Sequence, residues 1–164
     1  LTRGVYFTLP EKRVYLLDHY REQFLASVLH LRELCHNALS HDGMRICIEN
    51  TDGFLPFQQE AIDLLLQSPV FALTYDVGHD FGSRPTDKDF ILCRRKHLRH
   101  MHLHDASSEG CHLPLGDGIL NKPALLNLAK QHNCTVVLET KTIQGLRHSL
   151  AWLASEGLYP ENPS

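Results

Sequence analysis

Four residues able to bind a metal stand where four apolar runs end: Glu49 after MRICI, Asp76 after FALTY, His102 within HMHLHD and Glu139 after TVVL. A carboxylate or imidazole buried at a strand end is costly unless something pairs with it. Four of them, one per successive run, imply a shared charge partner. The economical partner is one divalent cation. Hard oxygen donors with one imidazole suit Mn2+ or Mg2+ and tolerate Co2+ or Zn2+. A closed structural zinc site would usually contain thiolates, and none is placed for one here. Such a cation can grip two vicinal oxygens of a hydroxy-ketone or aldehyde and stabilise the enediolate formed when the adjacent carbon loses its proton. Glu49 and Glu139 can take that proton on one face and return it on the other. The competing reading is a salt-bridge network joining these carboxylates to Arg45 and nearby lysines.

Further histidines flank this set. His79 follows Asp76 by three residues and can face the same mouth, as a substrate-hydroxyl contact, a second-metal ligand or a solvated loop residue. His112 opens HLPLGDG, a turn-rich loop whose glycines permit close backbone approach, and is expected to touch substrate. His104 shares parity with His102 one step further out, so the two could exchange the ligand role. His100 lies deeper and is expected to be a hydrogen-bonded interior residue. Cys111 beside His112 reads as a small loop residue rather than a ligand.

Strand parity places the four candidates together, because side chains alternate between faces. Counting back in twos gives Cys47 and Arg45 from Glu49, Thr74 and Ala72 from Asp76, His100 from His102, and Val137 and Thr135 from Glu139. These are mostly small or polar, as on a face lining a cleft. The opposite parity holds Ile46, Ile48, Leu73, Tyr75, Met101, Leu103, Val136 and Leu138, an apolar face for helices to cover. Strands are expected at 4–9, 44–49, 70–76, 100–105 and 134–140. Helices are expected at 12–39 (apolar at Leu16, Leu17, Phe24, Val28, Leu31 and Leu34), 57–67, 87–97, 122–132 and 143–156. Residues 106–120 read as a long loop. Five β/α units in strict alternation predict a parallel sheet with right-handed crossovers. Both an open doubly wound sheet and part of a (β/α)8 barrel fit. No Gly-rich phosphate loop follows the first strand, and ligands gathered from several strand ends favour the barrel.

A chain of 164 residues, 43% apolar and 21% charged, suits one globular domain. No apolar run approaches the roughly 20 residues of a membrane span. The net charge of −3 and scattered basic residues, with only a short cluster at Arg94, Arg95, Lys96 and Arg99, argue against nucleic acid as a partner. Five cysteines without framework spacing predict reduced thiols and a cytoplasmic protein. The chain opens at Leu1 without a signal-peptide pattern, and a full barrel needs about 250 residues. The expectation is one barrel domain over 1–164 that lacks its N-terminal third and retains the last five units.

In order and spacing, IEN, DVGH, HLHD, HLPLGDG and LET across residues 44–140 resemble the xylose isomerase-like TIM barrels. That superfamily includes sugar-phosphate isomerases and epimerases and endonuclease IV. The resemblance implies a single-metal core of Glu49, Asp76, His102 and Glu139, with Mn2+ as the favoured ion. It places His79 and His112 near a small sugar or sugar-phosphate, and makes Glu49 and Glu139 the proton-transfer pair. The function expected is a metal-dependent isomerase or epimerase of carbohydrate metabolism. Endonuclease IV is the alternative, but it uses three zinc ions and histidines on earlier strands, where VYFTL has none. Its Asp-x-His pair is replaced by Gly110-Cys111-His112. A five-strand piece would expose its interior and two edges, so it is expected to form homo-oligomers or to be a non-catalytic remnant.

Overall fold

The computed structural model describes residues 6–8, 13–15, 17–51, 53–82 and 86–158. Its chain divides into two compact units, one formed by 1–46 with 55–71 and the other by 47–54 with 72–164.

In the first unit a short hairpin pairs β1 (Tyr6–Thr8) antiparallel with β2 (Arg13–Tyr15). The first expected strand therefore does not join the parallel sheet. The helix expected from residue 12 begins instead at Leu17, because Arg13–Tyr15 is spent on backbone pairing. This helix, α1 (Leu17–Leu39), lies against α2 (Pro56–Leu65). Arg32 ties the two by donating to the Leu64 carbonyl (3.2 Å) and Gln67 Oε1 (2.7 Å). The Phe24 and Phe57 rings meet edge to face at 5.8 Å. Pro56 opens α2, where its missing N–H costs nothing. The apolar stripe expected on α1 is only partly covered: Val28 is buried, whereas Leu31 and Leu34 are about half exposed.

The functional geometry rests on a four-stranded sheet in the order β3 (Ile46–Glu49), β4 (Phe71–Asp76), β5 (Leu98–Leu103), β8 (Thr135–Leu138). The β4–β5 and β5–β8 pairs are parallel, as the alternation of strands and helices requires. Register sets Asp76 beside His102 and His102 beside Val137, so Glu139 follows two residues later on the same side. The expected apolar parity is buried in the central strands: Leu73, Met101 and Leu103 are at 0% exposure. β8 is an edge, and both Val136 (37%) and Val137 (45%) remain exposed.

Between strands come α3 (Val77–Gly82), α4 (Thr86–Cys93), a 3-10 turn at Arg95–His97 and α5 (Lys122–Gln131), and α6 (Ile143–Ser155) follows β8. The stretch expected as one loop contains an antiparallel hairpin, β6 (Asp105–Ser107) with β7 (Gly110–Leu113). After it, residues 114–121 wrap around Asp105. That buried carboxylate takes the Lys122 ammonium (2.7 Å) and the amides of Ala106 (3.0 Å), Gly116 (3.0 Å) and Leu120 (3.1 Å). A Cβ at Gly118 would lie 2.5 Å from Asp105 Oδ1 and 2.4 Å from the Ala106 carbonyl oxygen, so the wrap requires glycine there. Asn121 caps α5 by accepting from the Ala124 amide at 3.1 Å, and Thr142 caps α6 by accepting from Gly145 at 3.0 Å.

Candidate metal centre

Asp76 ends β4 and also starts α3. Its Oδ1 accepts from the backbone amides of Gly78 (3.0 Å) and His79 (2.8 Å), the bonds of a helix N-cap. Strand therefore turns directly into helix, and His79 is carried back over the strand end instead of leaving on a loop. Asn50, fully buried, clamps the same point by donating to the Asp76 carbonyl (3.0 Å) and accepting from its amide (2.8 Å). These two bonds act as one more rung between the chain after Glu49 and the end of β4.

Around this clamp the expected residues converge. His102 Nδ1 lies 3.0 Å from Glu139 Oε2, 3.5 Å from Glu49 Oε1 and 3.6 Å from Asp76 Oδ2. His79 Nδ1 lies 3.7 Å from Asp76 Oδ2 and 4.0 Å from Glu49 Oε1. His112 Nε2 is 3.4 Å from Glu139 Oε1, and the His79 and His112 rings are 5.1 Å apart. All six residues proposed from sequence thus share one cluster. Within the described structure, Glu49, Asp76 and Glu139 have histidine rings alone as ion-pair partners. Among the described residues, no lysine or arginine pairs with these three carboxylates.

The chemistry of the donor set can be tested for its fit to a cation. Asp76 Oδ2, His79 Nδ1, His102 Nδ1 and Glu139 Oε2 are buried and, among the described residues, lack a hydrogen-bond partner. An unsatisfied buried polar group costs about 1–3 kcal/mol, more if charged. Four such atoms facing one another need a common partner. Donors bound at about 2.1 Å to one ion stand about 3.0–3.5 Å apart in octahedral or tetrahedral arrangement. The separations of 3.0, 3.5 and 3.6 Å around His102 Nδ1 match that spacing. Glu49, Asp76 and His102 are close enough to share an ion, and Glu139 abuts His102.

Electrostatics differ from residue to residue. Burial pushes the Asp76 carboxyl up, but the His104 hydrogen bond and the His79 amide outweigh it and hold the group below its ordinary range. Burial and the neighbouring His104 ring both push His112 down, toward the neutral imidazole. Burial, with His102 nearby, likewise lowers His100, which is hydrogen-bonded to Thr135 but is only partly buried, not the interior residue expected. Burial opposes charge on His104, while its hydrogen bond to Asp76 draws the ring upward.

Sequence reasoning let His102 and His104 exchange roles, and the geometry separates them. His104 has both ring nitrogens occupied, Nε2 at 3.1 Å from Asp76 Oδ1 and Nδ1 accepting the His112 amide at 2.8 Å. Its Nε2 supports Asp76, and it also lies close enough to Asp76, His112 and Glu139 to share an ion with them. Asn50 was not anticipated, although its place directly after the IE of IEN was a usable signal. Cys111 Sγ lies 3.1 Å from His112 Nδ1, so this residue is closer to the cluster than its reading as loop filler implied. His112 itself takes φ 62°, a left-handed conformation unusual for a residue with a side chain.

Comparison with known proteins agrees with this architecture. A family model described as xylose isomerase-like TIM barrel matches residues 8–156. A search of curated proteins returned no match. Among solved structures, a 3-keto-D-glucoside 4-epimerase from E. coli is similar at 18% identity and TM-score 0.56, over 90% of this chain and 57% of its own. A probable 3-DHS dehydratase from Bacillus anthracis is similar at 15% identity and TM-score 0.58, over 82% of this chain and 57% of its own. An AP endonuclease, family 2, from Brucella melitensis is similar at 19% identity and TM-score 0.54, over 82% and 53%. The chain thus spans little more than half the length of these structures, and at such identities they speak for the fold alone. With the family match running almost end to end, the chain belongs to the xylose isomerase-like TIM barrel family.

Proposed function

We propose that this protein is a metal-dependent isomerase or epimerase acting on a small sugar or sugar-phosphate. The observation that carries the reading is the pair of glutamates, Glu49 and Glu139, both drawn to the unsatisfied Nδ1 of His102. Glu49, Asp76, His102 and Glu139 would hold one divalent cation, Mn2+ being favoured by three carboxylates and one nitrogen. When bound, the ion would polarise a substrate carbonyl and offset the negative charge that develops as the adjacent carbon loses its proton.

The remaining work falls to the chain. One of the two glutamates takes the carbon-bound proton and the other gives its own to the opposite face, so the pair ends with protonation states exchanged. His112, held neutral, and His79 contact substrate hydroxyls. The similarity to a sugar epimerase supports this substrate class. Five free cysteines fit a reducing cytoplasm, and no helix among the described residues is long and apolar enough to cross a membrane.

Glu139→Gln tests the mechanism. In deuterated buffer with Mn2+ and a panel of free and phosphorylated ketoses, the wild-type protein should incorporate solvent deuterium next to the carbonyl of its substrate. The variant should lose that exchange while keeping its circular dichroism and melting temperature. Unchanged exchange in the variant, or none in the wild type, overturns the reading. The similarity to an AP endonuclease keeps a second reading in view, since His79, Cys111 and His112 also lie close enough to share an ion. Elemental analysis separates the two: one cation per chain fits the isomerase, several zinc ions the nuclease.

A further inference from the structure

His104 is fully buried, and although it lies close enough to Asp76, His112 and Glu139 to share an ion with them, both of its ring nitrogens already have partners in the chain. One edge of the ring meets Asp76 Oδ1 at 3.1 Å through Nε2. The other edge receives the backbone N–H of His112 at Nδ1, 2.8 Å away. The Asp105 carbonyl oxygen also lies 3.2 Å from Nδ1, but the amide is nearer and can only donate, so Nδ1 is assigned as the acceptor and the ring proton to Nε2, aimed at Asp76. The ring is pinned from both sides. It stacks on the His112 imidazole at 4.2 Å and 8°, and it presses on the first turn of α3, where a Cβ at Gly78 would lie 1.8 Å from Cε1.

We infer that His104 is a positioning residue shared by the metal centre and the strand that presents His112. The inference rests on the cation site proposed above. Through Nε2 it adds a third donor to Asp76 Oδ1, after the amides of Gly78 and His79, and so fixes the carboxylate with Oδ2 turned to the cluster. Through Nδ1 it holds the left-handed backbone at His112, which aims that imidazole at Glu139. One ring thereby holds both the Asp76 carboxylate and the backbone of the residue proposed to meet substrate. Gly78 belongs to the device because any side chain there displaces the ring.

Two substitutions split the ring's functions, since a glutamine amide reaches the place of Nε2 and an asparagine amide that of Nδ1. In the full protein, His104→Gln should keep Mn2+ affinity within about threefold while exchange of the His112 amide with deuterium accelerates at least about tenfold. His104→Asn should do the reverse, leaving that amide protected and weakening Mn2+ by about tenfold to a hundredfold, the range seen when supporting partners of a metal ligand are removed. Gly78→Ala should show both losses, and nitrogen NMR of the wild-type imidazole should report the Nε2–H tautomer. Equal effects of Gln and Asn on both readouts, or an Nδ1–H tautomer, overturn the two-edged positioning role while the cation site stands. Failure of the wild-type protein to bind Mn2+ overturns the cation site itself.

Discussion

Two aspartates stand near the same strand ends, Asp76 and Asp105, both at 0% exposure, and they are finished differently. Asp105 has every acceptor position used: Oδ1 by the amides of Ala106 and Leu120, Oδ2 by Gly116 and the Lys122 ammonium. Among the described residues, Asp76 has three hydrogen bonds to its carboxylate, all on Oδ1 and none on Oδ2. Burial is therefore no guide to role. A carboxylate closed on all sides organises a loop, whereas one left open on one oxygen, beside other open donors, awaits a partner the chain does not supply.

The largest expected effect breaks the closed member. Asp105→Asn presents amide hydrogens to groups that can only donate and leaves the Lys122 ammonium buried without its carboxylate. It should cost about 3–5 kcal/mol in urea unfolding, the usual consequence of removing one partner of a buried pair. Next comes the open member. Asp76→Asn keeps an oxygen for the N-cap, so stability in chelator should change by under about 1 kcal/mol. Mn2+ at a hundred times its Kd should stabilise the wild type by about 2.7 kcal/mol and this variant not at all. An equal Mn2+ effect on both would remove the distinction drawn between the two aspartates.

A smaller effect is read from acid. Burial raises the Asp105 carboxyl, but Lys122 and the amides of Leu120, Gly118 and Gly116 more than reverse this, so its folded pKa lies below the unfolded value. Its stabilising contribution is then complete above the unfolded pKa of about 3.9 and is lost as pH falls through the folded one. Acid unfolding of the metal-free protein below about pH 4 should be less steep in Asp105→Asn than in the wild type. Identical slopes would show that the Asp105 wrap contributes nothing to acid stability.

The sequence disclosed the site more readily than the elements beside it. Glu49, Asp76, His102 and Glu139 were legible because apolar runs and a period of two fix both the strand and the face. Their neighbours lacked any such period. The hairpin at 105–113 has strands of three and four residues, too short and polar to alternate, and its turn carries no Asn-Gly or Asp-Gly signal. The helix after Asp76 was hidden because its cap is the last residue of a strand, leaving no polar linker to announce it. The sequence of the first hairpin suits strand then helix, since Arg13–Tyr15 fits either. His104 and Asn50 act through single bonds to backbone and carboxylate, which no pattern of hydrophobicity encodes.

The double use of Asp76 constrains what could replace it. Its carboxylate reaches back to the amides of residues 78 and 79 with one oxygen while the other faces His102. A glutamate has the same charge and donor atoms, but its extra methylene would carry both oxygens past the amides. Between these two acids, the length of the side chain is therefore dictated by the helix it begins, and the direction in which that helix departs sets the bite of the cluster.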